Sequence, residues 1–92
     1  MQAELKLTTE IWQEGNMFVG YCHELDLSTC GPTIQKAREN IAQVIEVSFE
    51  EARRKGKLRE LLEEAGFRIT DHAVSKESEL CALEHLSVPV EI

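Results

Sequence analysis

"CHELDLSTCGPT", residues 22–33, decides how this chain folds, because it places two cysteines, a histidine and two acids just ahead of a Gly-Pro pair. Two readings compete: a metal or thiol site, or the end of a strand, a turn and the start of a helix. Gly31 and Pro32 form a breaker, and Thr33 offers a hydroxyl that can accept from the first free N–H groups of a helix. Downstream, Ile34, Ala37, Ile41, Val44, Ile45 and Ala52 recur at three- and four-residue steps with Phe49 beside them. That spacing predicts an amphipathic helix from Thr33 to Lys55, with Arg53, Arg54 and Lys55 in the last turn and Gly56 as the left-handed stop. Upstream, "MFVGYC" (17–22) is a run of aromatic and β-branched residues.

The strand reading weakens the metal one. Neighbours on a strand point to opposite faces, so Cys22 and His23 cannot close on one ion, and a structural zinc site wants four ligands. His72, Cys81 and His85 would have to arrive from elsewhere in the fold. Cys30 precedes a helix N-terminus, which favours thiolate, but Gly31 and Pro32 separate it from the helical N–H groups. No Gly-rich phosphate loop, nucleophile triad or zinc-protease signature is present. No catalytic residue, metal ligand or cofactor is therefore expected. Glu24 and Asp26, two apart on an extended segment, share one side and read as an acidic rim for a partner.

Around this centre, residues 3–13 alternate apolar and polar, which predicts a first strand, and Glu14-Gly15-Asn16 predicts a hairpin turn into 17–22. Gly20 inside that strand allows a close neighbour, and a short third strand fits 26–30. A second helix is expected over 57–65, with Leu58, Leu61, Leu62 and Ala65 on one stripe, Gly66 ending it and Phe67 folding back. "RITDHAV" (68–74) reads as a short strand and "SKESEL" (75–80) as a loop. "LCALEHLSVPVEI" (80–92) reads as one or two terminal strands, with Pro89 at an edge. The expectation is one α+β domain over 1–92: an antiparallel sheet of three to five strands with two helices on one face.

Composition narrows the partners. Seventeen acids against ten bases give a net charge of −7, which repels nucleic acid and favours a basic partner. Arg53, Arg54, Lys55, Lys57 and Arg59 cluster at the end of the long helix, where cations meet the negative pole of its dipole. No apolar run reaches the ~20 residues needed to span a bilayer, and "MQAELKL" lacks a secretion signal, so a cytoplasmic, membrane-free protein with free thiols is expected. A 92-residue chain buries only about 60–65% of its unfolded surface. Help from a second copy, as a homodimer or a pair of dimers joined at sheet edges, is expected with it.

The order "FVGYCHELDL", "STCG", "PTIQKARENIAQVIEVSFEEA" resembles the HicB-like antitoxin family, in which a strand ending Glu-Leu leads through Gly and Thr into an amphipathic helix. Here Glu24, Leu25, Gly31, Thr33, Ala37 and Asn40 match, and "LLEEAGF" with its following segment is also similar. His23 stands where a proline often precedes Glu-Leu, and Lys36 where acids commonly follow the Thr. The resemblance implies a partial ribonuclease-H-like fold with Gly31, Thr33 and Ala37 as structural residues. It also implies a non-enzymatic role, in which the chain binds and masks a small basic HicA-type mRNA-cleaving toxin; the acidic rim of Glu24 and Asp26 is the contact expected for such a partner. Neither a helix-turn-helix nor a ribbon-helix-helix pattern is found, so direct DNA binding is not expected. The alternatives are a small metal-dependent nuclease on the same fold, which would need three or four carboxylates on the sheet, or a thiol or zinc sensor using Cys22, Cys30 and Cys81.

Overall fold

A computed structural model describes residues 3–92; Met1 and Gln2, which open the stretch read for a secretion signal, lie outside the described residues. Five strands and two helices follow one another: β1 (Thr9–Glu14), β2 (Met17–Cys22), β3 (Leu27–Gly31), α1 (Ile34–Arg54), α2 (Leu58–Glu64), β4 (Phe67–Ile69) and β5 (Val74–Lys76). The class is α+β. The strands do not form one sheet: β1-β2-β3 is an antiparallel meander, and β4-β5 is a separate hairpin.

Gly15 takes φ +60 in the two-residue loop between β1 and β2, which gives the tight hairpin its twist without steric cost. The register then fixes two faces. Ile11, Gly20 and Thr29 lie side by side, as do Thr9, Cys22 and Leu27, and these rows lie under α1. Trp12, Val19 and Cys30 form a row on the other face, next to Glu10, Tyr21 and Ser28.

α1 begins as its sequence predicts. The Thr33 hydroxyl accepts from the Lys36 N–H at 3.0 Å, and at the far end Gly56 at φ +70 closes the helix. There the Gly56 N–H donates to the Arg53 carbonyl and the Lys57 N–H to the Ala52 carbonyl. The helix sits unusually close to the sheet. A Cβ on Gly20 would lie 3.0 Å from the Ala37 carbonyl oxygen, and one on Gly31 would lie 2.8 Å from the Ala37 nitrogen. Gly31 is needed for that approach rather than for a left-handed turn, since its φ is not positive. Ala37 is fully buried at the crossing, and Ile41 and Cys22 complete the dry centre. Burying Ile41 alone is worth about 1.5–3 kcal/mol.

Further expectations are corrected. First, α2 packs on β4 and on α1, not on the three-stranded sheet, so only one helix covers that sheet. Leu62 and Phe67 form a second, smaller buried cluster there. Second, the first strand begins at Thr9, not Ala3: Leu5 and Leu7 are half-buried between exposed Glu4 and Lys6, so the alternation of 3–8 records packing without a ladder. Third, residues 77–92 contain no strand. Alternation marks which side of a segment is apolar, but it supplies no neighbouring edge, and no backbone hydrogen bond joins 79–92 to the rest of the described residues. The segment "RITDHAV" likewise resolves into most of a hairpin, and Ser75 and Lys76, expected in a loop, belong to β5.

Candidate functional site

The end of β2 is where the chain concentrates its polar chemistry. After Cys22 the backbone turns through residues 23–26, with Asp26 at φ +51, a conformation that aspartate tolerates better than most residues. The turn sends the two acids to different tasks. Glu24 folds inward: its carboxylate accepts from the Thr8 N–H at 2.7 Å, from the Thr8 hydroxyl at 2.8 Å and from Lys76 Nζ at 2.6 Å. Both ion-pair side chains are only 14% exposed. The His23 N–H also donates to the Thr8 carbonyl, at 2.9 Å. One carboxylate thus ties the N-terminal segment, the end of β2 and β5 together. Burial alone would raise its pKa, but the bonds from Lys76 and Thr8 outweigh that and hold it at about 2. Lys76 also lies 5.5 Å from the centre of the Phe67 ring, which links the pair to the second cluster.

Asp26 stays exposed and accepts from the Tyr21 hydroxyl at 3.0 Å, a bond that pushes the phenol pKa upward. Tyr21 packs edge-on against His23, ring centres 5.2 Å apart. His23 Nε2 meets the Glu10 carboxylate, which also accepts from Trp12 Nε1 at 2.6 Å. These two bonds, Trp12's first, lower the Glu10 pKa. Trp12 is 50% exposed and Met17 40% exposed, with no helix over them. The outer face of the meander is therefore an aromatic and aliphatic patch edged by anchored acids.

The cysteines do not assemble. Cys22 lies buried under α1, Cys30 is exposed on the opposite face and Cys81 is in the tail; all three are free thiols. Burial, followed by the nearby Glu24, pushes the Cys22 thiol pKa up, away from a nucleophilic thiolate. No group of three or more His, Cys, Asp or Glu side chains able to hold a metal occurs among the described residues. The basic cluster is partly neutralised on its own helix: Arg53 pairs with Glu50 at 2.6 Å and Lys55 with Glu51 at 2.9 Å.

Of the residues singled out in the sequence, Gly31, Thr33 and Ala37 meet at the start of α1, and Asn40 adds a bond from its amide to the Cys30 carbonyl at 2.9 Å. That bond caps part of the outer edge of β3. Glu24 and Asp26 are near in sequence but divided in function, one internal and one external. Sequence reading missed Trp12, Tyr21 and Glu10 as members of the site. The hairpin turn at Gly15-Asn16 carried the signal, since a two-residue loop sets Trp12 opposite Val19 and Glu10 opposite Tyr21.

Among the described residues no helix is long and apolar enough to cross a membrane. Comparison with protein-family models, with curated proteins and with solved structures finds no match to the chain.

Proposed function

We propose that this chain is a non-enzymatic binding module of the HicB-like antitoxin kind, with the partial ribonuclease-H-like arrangement that accompanies it, acting in the cytoplasm. Its partner would be a small basic HicA-type toxin whose RNA-binding face it covers. The observation that carries the reading is the helix-free outer face of the meander, where Trp12, Val19 and Tyr21 stand among Glu10, Glu14 and Asp26 on a chain of net charge −7. A surface built to hold RNA is rich in Lys and Arg. Aromatic rings receive guanidinium groups over their faces, and the carboxylates beside them form charge-assisted hydrogen bonds. Long-range attraction between opposite charges also speeds encounter.

The site chemistry supports binding over catalysis. A metal-dependent nuclease would draw on paired carboxylates, and here Glu24 is already neutralised by Lys76. The order of meander, Gly31, Thr33 and α1, with Ala37 at the crossing and Asn40 capping β3, supports the family reading by the same residues that carry the resemblance.

Trp12 is the sole tryptophan, so its fluorescence reports on this face directly. Titration with a HicA-type toxin is expected to shift its emission, to weaken as salt rises, and to suppress RNA cleavage in step with binding. Asp26→Lys together with Tyr21→Ala should weaken the complex at least tenfold. Absence of a complex at low salt, or an affinity untouched by those substitutions, would reject the proposal.

A further inference from the structure

The C-terminal segment poses a physical problem. Leu80, Leu83, Leu86, Val88, Val90 and Ile92 are each more than half exposed, and the last four run from 67% to 116%. Segments that remain solvated are poor in such residues, because exposed aliphatic surface is what drives a chain to fold or bind. The tail meets the meander where His85 stands edge-on to Trp12, ring centres 6.4 Å apart, and beyond it Leu86, Val88, Val90 and Ile92 are exposed. The molecule measures 52 × 28 × 20 Å with a radius of gyration of 16.0 Å, against about 12 Å expected for a compact chain of this length.

The same chain carries a surface of matching character. A groove of about 700 Å³ runs between the N-terminal segment, the end of α1, α2 and the β4-β5 hairpin. Its floor includes Leu5, Leu7, Phe49, Leu58, Ile69 and Val74, and Arg53 and Arg59 stand at its rim with Glu46 and Glu50. Arg53 is engaged by Glu50, whereas Arg59 has no ion pair among the described residues. After Lys76 the tail holds Glu77, Glu79, Glu84 and Glu91 and no lysine or arginine.

We propose that residues 86–92 form an exchange arm that fills this groove in a second copy of the chain, with each copy giving its arm to the other. Apolar side chains of the arm meet an apolar floor, and Glu91 meets the free Arg59. From His85 the arm spans roughly 23–25 Å when extended, enough to cross to a neighbouring body. Leu86, Val88, Val90 and Ile92 of the arm are 67% to 116% exposed in one copy, so two exchanged arms with the floors that receive them contribute toward the roughly 1,200–2,000 Å² of a standard interface. Reciprocal exchange satisfies both surfaces through one two-fold axis and leaves no open chain of contacts. Apart from the edge contact of His85 on Trp12, the outer face of the meander is not used by the arm, so the inference does not rest on the proposed toxin.

Sedimentation equilibrium of the full chain from 1 to 100 µM tests it. The unaltered protein is expected to be a dimer. Val88→Asp with Val90→Asp should yield a monomer at 10 µM, with unchanged far-ultraviolet circular dichroism because the changed residues are exposed in the single copy. Arg59→Glu should weaken the dimer several-fold, and adding Glu91→Arg should restore part of the loss. A chain that stays monomeric to 100 µM, or a dimer indifferent to the tail substitutions, would overturn the proposal. So would a monomer whose thermal midpoint falls when the tail is changed, which would mean the arm fills its own groove.

Discussion

Replacing Glu24 with Gln tests the contact on which the site rests. The substitution keeps the shape and one acceptor for Thr8, but it removes the charge that Lys76 Nζ meets at 2.6 Å and leaves an ammonium group only 14% exposed without its counterion. The Glu24 pKa of about 2, against 4.5 for an ordinary glutamate, sets the scale. At 1.36 kcal/mol per unit that difference is about 3 kcal/mol, and partial solvent screening brings it to roughly 2–3 kcal/mol. For a domain of this size the thermal midpoint should fall by roughly 10–20 °C at pH 7.

Acid titration supplies an independent check. A carboxylate whose folded pKa lies below its unfolded one contributes stability that is complete above the unfolded value, near 4.5, and is lost as pH falls through the folded value, near 2. The gap between unaltered protein and Glu24→Gln, measured by urea unfolding, should be constant above about pH 5, shrink from there to pH 2 and nearly vanish below it. Lys76→Met should cost a similar amount, and the double variant should cost less than the two singles together, because one interaction is being removed twice. A gap under about 0.5 kcal/mol at pH 7, or one that ignores pH between 5 and 2, would refute the assignment of Glu24 as the internal tie.

Gly31→Ala places a Cβ 2.8 Å from the Ala37 backbone nitrogen and should destabilise by about 1–3 kcal/mol in urea unfolding, whereas Gly15→Ala meets no neighbour and costs only its positive φ. Thr33→Ala removes the bond to the Lys36 N–H and should cost about 1 kcal/mol by thermal unfolding, with the loss centred on the first turn of α1 in hydrogen exchange. In native protein a thiol reagent should titrate Cys30 and Cys81 promptly and Cys22 only after unfolding, which mass spectrometry of the labelled peptides resolves.

What the sequence revealed and what it concealed divide along physical lines. α1 was legible from Thr33 to Gly56 because its apolar spacing, its N-cap and its glycine stop are all local, and each acts within one or two turns. The β1-β2 hairpin was legible for the same reason. Glu24 shows the limit. Its glutamate reads as a surface acid because acids usually are, and its partner Lys76 lies 52 residues away on a short strand with no local marker. The structural role of Gly31 was correctly located but for the wrong cause: a Gly-Pro pair signals a turn, and only the approach of Ala37 shows that space, not φ, is what the position requires.

The tail follows from the same distinction and shows why its alternation misled. Residues 80–92 carry the apolar period of a strand, and a strand is only half a structure until another edge receives it. Within one copy, β3 has its outer edge partly capped by Asn40, the β4-β5 hairpin is three residues long on each side, and the tail meets β1 through the His85 ring against Trp12 without a backbone hydrogen bond to it. The pattern therefore encodes a need for a surface that the single chain does not bring to it. The apolar floor formed by Leu5, Phe49 and Leu58 has the opposite need, since among the described residues no side chain of its own copy fills it. A thin core, five buried hydrophobic side chains among the described residues, makes the joining of those two surfaces worth more here than it would be in a larger domain, where such uncovered aliphatic surface would be a minor fraction of what folding had already buried.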